Sequence, residues 1–226
     1  DKVQQAAYQL TPVKGREQLL LHIGKHWLKN ITEKELNANL FTLLHVLNGA
    51  VNIIDDQAIL KEIVSLNLRA GLKSKDAATY DIAANYLRKA KDLLTKDSWI
   101  QAPQQTLNVC KSLIETEFLA GNTTSARSLY LSSIKNSPTN KEKITLILVQ
   151  ADQFQSAGNF PEAIDVLMEG LATLQVNFPE NEQEAEQSLK STYTKTQALR
   201  KPFTDDELIT ANKMSDEHYL LRMEIH

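Results

Sequence analysis

Gly121-Asn122 and Gly158-Asn159 stand 37 residues apart, and each opens the same short phrase. Three variable positions follow, then an Ala (Ala126, Ala163), then an apolar-rich run (Leu129, Tyr130, Leu131; Val166, Leu167, Met168). A period in this range, with a small residue fixed within it, marks an array of helical hairpins. An earlier copy lacks the glycine but keeps the register. The small residues align as Ala83, Ala126 and Ala163, and seven positions later as Ala90, Ser133 and Gly170. Between them stand the bulky fillers Leu87, Tyr130 and Leu167. Small side chains at both positions let neighbouring helices approach to about 8–10 Å between axes.

Helix punctuation agrees with this register. Leu19, Leu20, Ile23, Trp27 and Leu28 share one face of a helix over residues 14–30. Thr32 followed by Glu35 is a capping-box signature, and the next helix runs to about Asn48, with Leu36, Leu40, Leu43, Leu44 and Leu47 inward. Asp55-Asp56 opens the first hairpin helix, which ends near Lys73, and its partner runs from about Thr79 to Leu94. The second hairpin covers about 104–120 and 123–135, and the third about 141–157 and 160–175. Pro161 falls in a first turn, where its missing N–H costs nothing. Beyond Pro179 the pattern predicts a polar helix near 181–197, a capped start at Thr204, and an amphipathic stretch over 215–225. A short helix is also expected within residues 1–12, from Val3, Ala6, Ala7 and Leu10.

The expected fold is therefore all-α: a right-handed superhelical array of antiparallel helix hairpins. Residues 1–54 read as leading helices and a junction to an upstream module. Residues 55–176 read as three hairpins, and 177–226 as a C-terminal cap or junction. Only 7 Gly and 6 Pro in 226 residues argue against a loop-rich or β fold.

Composition narrows the function. A formal charge of −3 offers no electrostatic case for nucleic acid or anionic lipid. No apolar run nears the roughly 20 residues that span a bilayer. A lone cysteine, Cys110, forms no intrachain disulfide and suits a reducing, cytoplasmic compartment. The first residues, Asp1-Lys2-Val3-Gln4-Gln5, are polar and lack a Met. The expectation is a piece of a longer protein, without a signal peptide.

No catalytic motif stands out. There is no Gly-x4-Gly-Lys-Ser/Thr loop, no kinase loop and no Gly-x-Ser-x-Gly elbow. His22 and His26 are four apart on a helix, but Ile23 stands where the zinc-protease pattern needs Glu. They read as histidines flanking a packed face, and Cys110 reads as a buried, inert thiol. No catalytic residue, cofactor or metal ligand is expected, so the chain by itself is not expected to be an enzyme.

The aligned small residues resemble the tetratricopeptide repeat. In that family a Gly precedes the small residue by five positions, as Gly121 and Gly158 do. The first hairpin has Ala78 there, and Gly71 fills the family's earlier glycine position. The family's signature Trp is replaced by Asn67, Cys110 and Ile147. The resemblance implies that the first helix of each hairpin lines a concave groove. Mapped by position, the groove holds Ser65, Leu68, Leu72 and Lys75, then Asn108, Lys111, Glu115 and Phe118, then Thr145, Leu148, Asp152 and Gln155. Leu72, Phe118 and Leu148 could floor a groove for a partner helix. The Lys/Asn clamp by which some family members hold a peptide carboxylate is not reproduced, since Asp152 and Gln155 occupy such places.

Longer strings resemble the segment that closes the nucleotide-binding module of very large bacterial signalling ATPases, and the chain as a whole resembles the helical-repeat region that follows it. The strings are Asp1 to Tyr8, Leu21-His22-Ile23-Gly24, Phe41 to Asn48, Asn67 to Gly71, Tyr86 to Ala90 and Asp97-Ser98-Trp99. These proteins belong to the signal-transduction ATPase (STAND) class. They often join a serine/threonine-kinase-like domain, an ATPase, helical repeats, a GAF-type sensor and a histidine kinase. The resemblance implies a non-catalytic interaction and relay module of a cytoplasmic multidomain signalling ATPase or kinase, or of a transcriptional regulator with a similar layout, whose partner is a protein or peptide, including other domains of the parent chain. A stand-alone receptor for a peptide or small molecule is the alternative.

Overall fold

Caps set where the helices begin. In the computed structural model, which describes residues 13–179 and 181–225, Thr32 and Glu35 form the expected capping box in front of α2 (Glu33–Gly49). It follows α1 (Val13–Asn30). The helix expected within residues 1–12 lies outside the described residues. Asp56 accepts hydrogen bonds from the Ala58 and Ile59 amides at 2.9 and 3.3 Å and starts α3 (Gln57–Asp76). These carboxylate and hydroxyl acceptors take up amides that have no partner inside the helix. A single 3-10 turn at Val51–Ile53 links α2 to that start.

There follow α4 (Tyr80–Asp92), the one-turn α5 (Ser98–Gln101), α6 (Pro103–Leu119) and α7 (Thr123–Asn136). After Thr139 come α8 (Asn140–Ser156), α9 (Phe160–Thr173), α10 (Glu182–Arg200), α11 (Asp205–Ile209) and α12 (Glu217–Ile225). Among the described residues every regular element is helical. The chain divides into two compact units at Pro138/Thr139.

In the first unit, α1 packs on α2 and α2 on α3. Then α3 pairs with α4, both touch α6, and α6 pairs with α7. Leu40, Leu43, Leu44 and Leu47 of α2 are buried, and with Ile54, Ile63, Leu66 and Ala70 they form one core. Val64, Ala90 and Val109 join α3, α4 and α6 in another. Trp99, on the connection after α4, is buried as well. In the second unit, α8 pairs with α9, and α12 packs against both. Leu221 and Ile225 are the buried side chains of α12, and the Arg222 guanidinium donates to the Leu174 carbonyl at 2.8 Å. No residue of α10 is buried.

The aligned small residues sit where helices meet. Ala83, Ala126 and Ala163 are buried, and so are Ala90, Ser133 and Gly170. At Gly71, a Cβ would lie 2.5 Å from Leu87 Cγ, so glycine sets how closely α3 and α4 pack. The three hairpin turns share one geometry. Ala78, Gly121 and Gly158 have φ of 54°, 83° and 78°. In each, the next residue's amide reaches back five positions: Thr79 to Ser74, Asn122 to Glu117, Asn159 to Phe154, at 3.0, 2.8 and 2.8 Å. This is the Schellman ending, which favours Gly because a left-handed backbone crowds a Cβ.

Candidate functional site

The groove residues read from the sequence fall into two sets. Ser65, Leu68, Leu72 and Lys75 lie on α3, and Asn108, Lys111, Glu115 and Phe118 on α6, all in the first unit. Thr145, Leu148, Asp152 and Gln155 lie on α8, in the second.

The first set converges on Glu115. Its carboxylate meets Lys75 Nζ at 2.5 Å across from α3 and Lys111 Nζ at 3.9 Å along its own helix. Lys75 and Glu115 are about a quarter exposed, so water still reaches the pair. Two ammonium groups on one carboxylate leave a net positive charge at this point. Gln105 extends the α3–α6 contact by donating to Ser65 Oγ at 2.7 Å and to the Lys61 carbonyl at 3.2 Å. Leu72 is 39% exposed, Asn108 is exposed, and Phe118 is half-buried. In the second set, Leu148 is half-buried while Asp152 and Gln155 are exposed. The Thr145 hydroxyl is occupied by the Lys141 carbonyl at 2.9 Å.

One polar site escaped the sequence reading. Glu117 of α6 is fully buried, yet ionic. Arg88 of α4 grips it with two bonds, Nε at 2.6 Å and Nη2 at 2.8 Å. Asn122 donates to the same carboxylate at 2.9 Å. The bonds to Glu117 push the Arg88 guanidinium above its ordinary value. This fork-to-fork geometry fixes α4 against the turn of the following hairpin. A lone Glu in a helix reads as a solvated face, and no local spacing links position 117 to position 88. The only sequence hint is Asn122, which stands directly after a glycine in the turn.

Cys110 is buried, and burial pushes its thiol up, partly opposed by the charge of Lys91. A raised thiol carries little thiolate. His22 and His26 are exposed and border an open cleft of about 540 Å³ between α1 and α2, floored by Ile23, Trp27 and Ile31. Among the described residues no three His, Cys, Asp or Glu side chains are placed to hold a metal ion. No described helix is long and apolar enough to cross a membrane.

No protein-family model matches the chain, and no solved structure matches it. It is similar to hybrid signal transduction histidine kinase G of Dictyostelium discoideum, with 23% identity over 195 residues. The match covers 76% of this chain but 6% of that protein. The chain thus corresponds to a small part of a far longer relative.

Proposed function

We propose that this chain is a non-catalytic protein-interaction and relay segment of a larger cytoplasmic signalling protein, built as a right-handed superhelical array of tetratricopeptide-like hairpins. The observation that carries the reading is the packing order of the first unit. Each of α3 and α4 touches α6, the first helix of the next hairpin. That is how a hairpin covers its apolar flank with its neighbour, and it leaves a row of first helices facing outward. Two further features support it. The α3–α6 face carries a polar cluster, Lys75, Lys111 and Glu115, beside exposed Leu72 and Asn108. The similar region of a signal transduction histidine kinase gives the signalling context.

In this reading the groove takes a protein segment with an apolar side chain for Leu72 and an acceptor for the lysines. The occupant is either a separate partner or another domain of the parent. Occupancy would change the packing between hairpins and so relay a signal along the array. A photo-crosslinkable residue at Asn108 in the full-length parent tests this. Crosslinks to a peptide segment, lost when Lys75 and Lys111 are both changed to Glu, are the expected result. Crosslinks no more frequent at Asn108 than at exposed Lys195 of α10 would contradict it.

A further inference from the structure

α10 is a 19-residue helix in which no residue is buried. Helices only slightly shorter than this are marginal in water on their own, and most helical stability comes from packing one face. Ser188, Ser191, Thr192, Thr194 and Thr196 lower the intrinsic propensity of α10 further. Such a helix gains most from a partner laid along its length.

The sequence of α10 describes that partner. Glu182, Glu186, Leu189, Tyr193, Thr196 and Arg200 follow one another at alternating steps of four and three, so they form one stripe along the helix. All six are exposed, Leu189 and Tyr193 by 70% and 65%. The stripe is complementary to itself when turned end for end about position 191. Glu182 then falls opposite Arg200, Glu186 opposite Thr196, and Leu189 opposite Tyr193. A parallel pairing would instead set Glu182 on Glu182 and Arg200 on Arg200, which repels. The ion pairs the stripe makes within its own chain, Lys190–Glu186 and Arg200–Asp205, both at 2.7 Å, are exposed and easily exchanged. Lys195 falls on the other side of the helix, outside the stripe.

We propose that α10 of one copy pairs antiparallel with α10 of a second copy through this stripe. Leu189 and Tyr193 of the two copies form the apolar centre, and a Glu182–Arg200 pair closes each end. The same surface serves both copies, so the contact is isologous and stops at a dimer. One helix per copy, about 28 Å long, makes a small interface. The dimer is therefore weak, and its end contacts weaken with salt.

Sedimentation equilibrium of the 226-residue chain over rising concentration tests this. The average mass is expected to rise from the 25.4 kDa monomer toward twice that value and no further. Leu189→Asp puts a charge in the apolar centre and is expected to weaken the dimer about tenfold or more. Thr196→Lys sets an ammonium opposite Glu186 of the other copy, twice per dimer. It is expected to tighten the dimer about threefold at low salt and to lose the gain at high salt. Thr196→Glu is expected to weaken the dimer by a similar factor. Lys and Glu both favour a helix more than Thr does, so an effect on helix order alone would move both variants the same way. Should Leu189→Asp unwind α10, the Thr196 pair carries the test alone. A wild-type chain monomeric at its highest soluble concentration would overturn the proposal, as would a mass that grows beyond the dimer. So would a Thr196→Lys chain that dimerises less well, which is the sign of parallel pairing, or two Thr196 variants that shift in the same direction.

Discussion

The hairpin α3–α4 and the hairpin α6–α7 have the same turn but different chemistry around it. Both turn through a left-handed residue, Ala78 in one and Gly121 in the other. Both close with the same five-residue return bond. Nine positions before the buried Ala, the first hairpin has Ser74 and the second has the buried carboxylate of Glu117. At the position taken by Cys110 in the second, the first has Asn67. Asn67 is fully buried and exchanges paired amide bonds with Asn48 of α2 at 3.0 and 2.9 Å. The comparison teaches which features of a hairpin are fixed and which are free. Turn geometry and small residues at the crossings recur. The buried polar groups differ: Glu117 is held by Arg88 and Asn122, and Asn67 by Asn48.

The sharpest way to break this contrast is to remove the partner of Glu117. Arg88→Met leaves a buried carboxylate held only by Asn122. Breaking a buried ion pair costs about 3–5 kcal/mol, and because Arg88 is 46% exposed the lower end applies, about 3 kcal/mol. The denaturant midpoint is expected to drop accordingly, and a shift under about 0.5 kcal/mol, as for an ordinary surface change, would contradict the role of the pair. Next come the crossings. Ala126→Leu and Ala163→Leu add volume at buried positions and are expected to cost roughly 1–3 kcal/mol each. Unchanged melting in both would remove the common register.

The turns give a smaller effect of opposite sign in the two hairpins. Gly121→Ala places a Cβ on a left-handed backbone and is expected to cost about 1 kcal/mol. No atom lies within 4 Å of that Cβ, so the penalty is conformational and not steric packing. Ala78→Gly relieves the same strain and is expected to raise stability by about 0.5–1 kcal/mol. Two changes of the same sign would show that the turns are not equivalent. The smallest contrast lies outside the hairpins, at the capping box of α2. Bonds from Thr32 hold the Glu35 carboxyl below its ordinary value of 4.5. A depressed carboxyl stabilises the fold above pH 4.5 and loses that contribution as pH falls through its folded value. In an NMR titration, Thr32→Ala is expected to return Glu35 toward its ordinary range.

The sequence reading reached the helices because helices announce their ends. Thr32/Glu35, Asp56 and Thr204/Glu207 all cap as their spacing implies. The Gly-Asn pairs located two of the three turns, and alignment alone placed the third at Ala78. Glu117 stayed hidden because burial of a charge depends on Arg88, 29 residues away. One polar contact between α3 and α6 was legible. Lys75, Lys111 and Glu115 do meet, since hairpin spacing brings equivalent helices together. The division at Pro138/Thr139 is not encoded by any local pattern. It falls within the stretch read as three consecutive hairpins. α10, read as a polar helix, has no buried residue, and its Leu189, Tyr193 and Leu199 are 70%, 65% and 73% exposed.

The central proposal is that hairpins stack into an open array whose outward face binds and does no chemistry. Small-angle X-ray scattering of the chain at concentrations low enough to keep it monomeric tests this directly. A compact globule of this length has a radius of gyration of about 17 Å. The array predicts a clearly larger value and a pair-distance distribution with a long tail. A symmetric distribution with a radius near the compact value would contradict it.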